Sequence, residues 1–363
     1  MYKYLNIAFI ILFVGSGFYL AGITSFSPVY FAFLIGVTLI MVLALNRKFP
    51  VDGLIKANFI IFVLIMSSQM LLGDILRPLT SFLCLLYFII IFWIGNLLSY
   101  KDIIRDVIIS FFFLSLIFLA EFYFRLRGEY DFAVQALAML NVSHEFYGLK
   151  GNSIMFMDSN HVGMVILSFF SLAVYLLKEH KKNTMVYIII FFGFILFTFS
   201  RSAIVSSIVF SAVFLFFKIS RKSMKTILIL PLVAIFVVYF LLPFYANDPS
   251  FLSKFGILND VISYTNRMDF VRLFFGVGYG NSPKYLGIGT HNLIFTYYVE
   301  GGILAIILFS ILYYLLIRKT IKVLYIILPF LFSGLSFAPQ VQTFYFSVLA
   351  VVVLLENKKP TYA

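Results

Sequence analysis

SFLCLLYFIIIFW, Ser81 to Trp93, holds no charged residue and shows no alternation of apolar with polar positions. A strand crossing a bilayer alternates, whereas a helix in lipid can be apolar on every face. The stretch therefore reads as the middle of a transmembrane helix covering 79 to 98. Similar apolar runs, of the roughly 17 to 25 residues needed to cross ~30 Å of hydrocarbon, recur outward from it. They lie near 5 to 21, 27 to 45, 55 to 72, 103 to 124, 160 to 177, 184 to 199, 202 to 217, 226 to 245, 292 to 317, 322 to 337 and 341 to 355. The fold class expected is all-α: a single polytopic membrane domain over 1–363 with about twelve transmembrane helices.

Composition points the same way, since 63% hydrophobic against 12% charged residues excludes a soluble domain. Cys84 is the single cysteine, so no disulfide or thiolate metal site can form within one chain. The first apolar run follows Met1-Tyr2-Lys3 and imitates a signal peptide, with Ala21-Gly22 where cleavage would fall. Further spans follow at once, so it reads as an uncleaved first helix.

Charge sets the orientation. Alternate loops carry eighteen of the 27 basic residues, among them Lys3, Arg47, Lys48, Lys181, Lys182, Lys222, Lys319, Lys358 and Lys359, against nine in the other set. Positive-inside then expects both termini in the cytoplasm, with two long outer loops at 125–159 and 246–291. The net charge of +12 is thus a topology signal and not a nucleic-acid footprint. No Walker-type glycine loop is present, which argues against ATP-driven transport by this chain alone. Apart from Glu300, every ionisable side chain fits a helix end or a loop, which argues against a proton-coupled carrier. A lipid-linked oligosaccharide flippase remains as the non-enzymatic alternative.

The outer edge is where chemistry concentrates. In TFSRSAIVSS, Arg201 sits where one apolar run gives way to the next. A helix starting there offers backbone N–H groups to an anion, and a guanidinium fork matches phosphate oxygens; the other reading is an interfacial arginine reaching lipid headgroups. In SYTNRMDFVRLFFGVGYGN, Arg267 and Arg272 are expected on one short helix, about 140° apart around its axis, so that only one of them faces a ligand. Gly276, Gly278 and Gly280 permit a tight turn and lack the strand that a dinucleotide fingerprint requires.

Thr290-His291-Asn292 then opens a long apolar run, followed by Glu300-Gly301-Gly302. His291 suits general-base work near neutral pH, or serves as a structural hydrogen-bonding residue. On a regular helix His291 and Glu300 would project from opposite faces, leaving Glu300 to orient the loop or a neighbouring helix. In MDSNHVG, Asp158 or Ser159 is a natural N-cap for the span that Asn160 and His161 begin. His144 and His180 are less informative, and no group has metal-ligand spacing.

Ser-Arg-Ser between two spans, an arginine ahead of GxGxG, His-Asn followed by Glu-Gly-Gly, and Asp-Ser-Asn at 158–160 together resemble the O-antigen polymerase and ligase superfamily over roughly 155 to 317. The resemblance implies a GT-C-like inner-membrane glycosyltransferase, independent of metal and cofactor, whose large periplasmic loop closes over the site. Its donor would be an undecaprenyl-pyrophosphate-linked oligosaccharide, drawn from membrane lipid, and a chain-length regulator protein would be a natural partner.

Carried over by position, Arg201 and Arg267 match the arginines that hold the pyrophosphate, with Arg272 as the other register for the second. His291 matches the base, and Asp158, Asn160, Asn292 and Glu300 fall among the substrate-binding positions. Cations held in place stabilise the negative charge that develops on the leaving phosphate. The polymerase reading is favoured over a ligase that transfers the glycan to lipid A core. It carries the expectation that Arg201, Arg267 and His291 share one pocket.

Overall fold

The structure, a computed structural model, describes residues 2–21, 23–24, 26–46, 52–72, 76–127, 153–156, 158–216, 219–220, 249–339 and 342–359. No strand occurs among them. The expected span at 226 to 245, His144, and most of the first outer loop lie outside the described residues.

The long helices are α1 (Tyr2–Gly15), α2 (Pro28–Asn46), α3 (Gly53–Met70), α4 (Leu76–Leu97), α5 (Tyr100–Arg127), α6 (Ser159–His180), α7 (Met185–Phe197) and α8 (Arg201–Phe216). The 246–291 segment holds three more: α9 (Pro249–Thr265), α10 (Phe270–Phe275) and α11 (Ser282–Leu286). α12 (Leu293–Lys319), α13 (Leu324–Gly334) and α14 (Thr343–Lys358) complete the order.

Burial explains why a chain this apolar folds into a bundle that belongs in lipid. α14 is buried at every position from Thr343 to Leu355 and packs along α4, so it is the central post. α6 is almost as enclosed. Around them α1, α3, α5 and α12 bury one face and turn the other outward, and the outward face is also apolar. Ile60 and Leu64 on α3, Phe112 and Leu116 on α5, and Ile307 and Ile311 on α12 are exposed. Water would penalise such a surface, whereas hydrocarbon does not. Among the described residues α3, α5, α6 and α12 are each long and apolar enough to cross a membrane, and the chain is a helical membrane protein.

Hydrogen bonds and ion pairs define two unlike ends of the bundle. One is lysine-rich: Lys319 reaches Asp52 at 3.1 Å, Lys322 reaches Glu179 at 2.5 Å, and Lys358 donates to the carbonyls of Asn96 and Leu98. His180 belongs to this end, between the hydroxyls of Tyr100 and Tyr175. At the other end Tyr19 bonds Thr343, Ser200 donates to Asn160 at 3.1 Å, Lys254 donates to Ser336 at 3.0 Å, and Asn292 donates to the carbonyl of Leu335 at 2.9 Å.

Candidate functional site

The second end is built around a break in α12. Gly302 adopts φ 68° and ψ −172°, which no helix accommodates, and the carbonyls of Val299 and Glu300 are thereby released from the helical ladder. They are met by the backbone of 276–278: Val277 N donates to Val299 O at 2.9 Å and Gly278 N to Glu300 O at 3.0 Å. The carboxylate of Glu300 takes up the rest of the loop, accepting from Gly280 N at 2.9 Å, Ser282 N at 3.3 Å and the Ser282 hydroxyl at 2.5 Å. Gln69 on α3 accepts from Tyr279 N at 3.0 Å. The glycine run and the Glu-Gly-Gly sequence are therefore two halves of one joint. Ile257 and Val261 of α9 seal it from outside against Val277 and Val299.

Facing this joint is the segment that leads into α6. Asp158 is the N-cap of that helix, its Oδ1 accepting from Asn160 N at 2.8 Å. His161, buried in the first turn, stacks on Phe156 with ring centroids 3.7 Å apart and planes inclined by 17°. Between the two walls lies a cavity of about 850 Å³, in the range of roughly 300 to 1,000 Å³ typical of small-molecule sites. Its lining combines Asp158, Glu300 and the two histidines His161 and His291 with hydroxyl and amide groups such as those of Thr290 and Gln342.

The cavity gathers only some of the residues singled out by sequence. His291, Asp158 and Glu300 line it, whereas Arg201, Arg267, Arg272, Asn160 and Asn292 do not. The expectation that Arg201 and Arg267 share a pocket with His291 is not met by this cavity, whose lining includes the histidine and neither arginine. Arg201 is the first residue of α8 and is exposed. Asn160 and Asn292 are engaged within the protein. Asn160 Oδ1 accepts from Ser200, and Asn292 caps α12 by accepting from Ile294 N and Phe295 N.

Two geometric premises are corrected. Arg267 and Arg272 are not on one helix: Arg267 lies in the turn after α9, and Asp269 starts a new helix by accepting from Arg272 N at 2.8 Å. Arg272 turns to its own surroundings, 5.4 Å above the Tyr285 ring and 3.6 Å from Asp269. Neighbouring Tyr264 has its phenol pushed up by burial, with the positive Arg272 opposing. His291 is not part of α12 either. It precedes the Asn292 cap with φ 44°, a left-handed backbone, so the opposite-face argument that separated it from Glu300 does not apply. Both side chains reach the same cavity.

Sequence reasoning placed His161 at a helix start without counting it as a site residue, and did not single out Tyr19, which lines the cavity from beyond the end of α1. Among the described residues no three His, Cys, Asp or Glu side chains form a group suited to a metal ion. No protein-family model matches the chain, and no curated protein matches it.

Proposed function

We propose that this protein is a bacterial inner-membrane glycosyltransferase of the O-antigen polymerase kind, with about twelve spans and both termini cytoplasmic. The observation that carries the reading is the placing of His291, Asp158 and Glu300 around one cavity at the end of the bundle away from the lysine-rich end. Positive-inside assigns the lysine-rich end to the cytoplasm, so the cavity opens to the periplasm, with 125–159 and 246–291 as its periplasmic loops.

The donor is an oligosaccharide on undecaprenyl pyrophosphate and the acceptor a sugar hydroxyl of another lipid-linked unit. His291 takes the proton of that hydroxyl as its oxygen attacks the anomeric carbon. The bond from that carbon to the pyrophosphate oxygen breaks, and the leaving undecaprenyl pyrophosphate carries the new negative charge. Arg201, with Arg267 or Arg272, stabilises it from outside the cavity wall. Glu300 and Asp158 hold backbone in this scheme and leave proton transfer to the histidine.

Transfer by the purified protein from a defined lipid-linked repeat unit tests the reading. Wild type yields a ladder of chain lengths, and His291→Ala binds the lipid-linked substrate without extending it. Normal turnover by His291→Ala removes the histidine as base. A product formed only on lipid A core identifies a ligase, and movement of lipid-linked glycan across the bilayer without bond formation identifies a flippase.

A further inference from the structure

Glu121 and Arg125 are charged side chains with almost no exposure, 0% and 1%, one turn apart on membrane-spanning α5. Burying an ion pair carries a desolvation cost that mutual attraction does not reliably return, and the cost is greater in a bilayer. The geometry shows what this pair does with it. Arg125 Nη2 donates to Glu121 Oε1 at 2.6 Å, and the other carboxylate oxygen accepts from Ile154 N at 3.0 Å and Met155 N at 3.1 Å. Met155 O in turn accepts from Ala21 N at 3.0 Å.

The next residue is Phe156, which stacks on His161 and lies 4.7 Å from the Tyr19 ring. Phe156, His161, Tyr19 and Asp158 all line the cavity. On the facing wall Glu300 likewise accepts from two backbone N–H groups of a cavity-lining loop. A buried carboxylate thus holds backbone in each wall, Glu121 in one and Glu300 in the other.

We propose that Glu121, clamped by Arg125, is a positioning residue for the site, fixing the backbone at Ile154 and Met155 so that the next residue, Phe156, and His161 form a rigid wall. The inference rests on reading this cavity as the site, and not on which bond is made there. Glu121 acts through Phe156 and touches no substrate.

Cys84 lines the same cavity, is buried, and is the single cysteine of the chain, so alkylation by N-ethylmaleimide reports on access to the cavity without competing thiols. Two double variants of the full chain in lipid nanodiscs separate charge from support. Glu121→Leu/Arg125→Leu removes the ion pair and the acceptor oxygen, while Glu121→Gln/Arg125→Met removes the charges and keeps an oxygen for Ile154 and Met155. We expect Cys84 to be alkylated roughly tenfold faster in the leucine pair, the loss of a buried backbone acceptor, and within about twofold of wild type in the glutamine pair. In the transfer assay kcat/KM for the acceptor falls by a similar factor in the leucine pair alone.

Wild-type alkylation in the leucine pair, or equal acceleration in both pairs, overturns the proposal. Should the leucine pair not fold, Glu121→Asp, which withdraws the carboxylate by one methylene, takes its place: faster alkylation supports the proposal and a wild-type rate refutes it. If wild type makes no glycosidic bond, the polymerase reading fails, and the alkylation comparison still decides the positioning role.

Discussion

Gly276 and Gly302 cross so closely that neither has room for a side chain. A Cβ on Gly302 would meet the backbone of Phe274 and Gly276, and one on Gly276 would meet the backbone of Glu300 and Gly301. Both also have left-handed φ, 79° and 68°. Replacement by alanine therefore combines a conformational cost of about 1–2 kcal/mol with a clash against backbone that cannot rotate away. Gly302→Ala and Gly276→Ala should each lower stability by more than about 2 kcal/mol. Gly193→Ala, in the middle of α7 with nothing within 4 Å, should be neutral or stabilising by about 0.5–1 kcal/mol. Thermal unfolding in detergent ranks the three.

Glu300 serves three donors at once, so its loss leaves Gly280 N, Ser282 N and the Ser282 hydroxyl without their acceptor. Glu300→Ala should destabilise the loop by about 2 kcal/mol or more. Hydrogen exchange at 278–282 would then rise well above wild type, while amides in the middle of α14 stay protected. Unchanged exchange at Gly280 and Ser282 would show that the carboxylate does not hold the loop.

The positions of the helices were legible because a membrane helix is declared by composition over its whole length. Expected spans at 184 to 199 and 202 to 217 stand beside Met185–Phe197 and Arg201–Phe216. The site was less legible because it depends on departures from regular structure. The break at Gly302 cancels the periodicity on which the His291–Glu300 argument relied, although the adjacent pair Gly301-Gly302 was its signal. The separation of Arg267 from Arg272 depends on Asp269 acting as a cap, a choice that competes with continued helix and is decided by packing. Glu121 and Arg125 carried an i, i+4 signal, yet nothing local tells a buried pair from an exposed one. Which side chains enclose a cavity is a property of tertiary packing, and the exclusion of Arg201 and Arg267 from its lining is of that kind.

At the lysine-rich end Asp52 caps α3 and meets Lys319 at the end of α12, so each charge also complements a helix terminus. Burial opposes ionisation of Asp52, but the Leu54 N–H and Lys319 outweigh it and hold the carboxyl below its usual 3.8. A lowered folded value means that the ionised form stabilises the fold above the unfolded value, and that this contribution disappears as pH falls through the folded value. With Lys319 partly exposed the pair contributes within about 1 kcal/mol. Asp52→Asn keeps a capping side chain and should be less stable than wild type by that amount at neutral pH. The difference should shrink to nothing as pH falls below the carboxylate range. A pH-independent difference in melting temperature would rule the ion pair out as its cause.

Arg201 begins α8 beside Ser200, which bonds the Asn160 of the Asp158-capped helix, so its backbone is tied to one wall of the cavity although its side chain is not part of the lining. If it receives the leaving pyrophosphate there, the interaction depends on the planar fork of the guanidinium as well as on its charge. A lysine ammonium keeps the charge but cannot offer two parallel N–H donors. Arg201→Lys should therefore impair polymer formation nearly as much as Arg201→Ala, each by about tenfold or more. Neither variant should change the melting temperature by more than surface substitutions do, because the residue is exposed. The chain-length ladder made by each variant in a strain lacking the native copy checks the first expectation, and thermal unfolding of the purified variants checks the second. Wild-type polymer from Arg201→Lys alongside loss in Arg201→Ala would reduce the arginine to a simple positive charge. Wild-type polymer from both would remove it from the site.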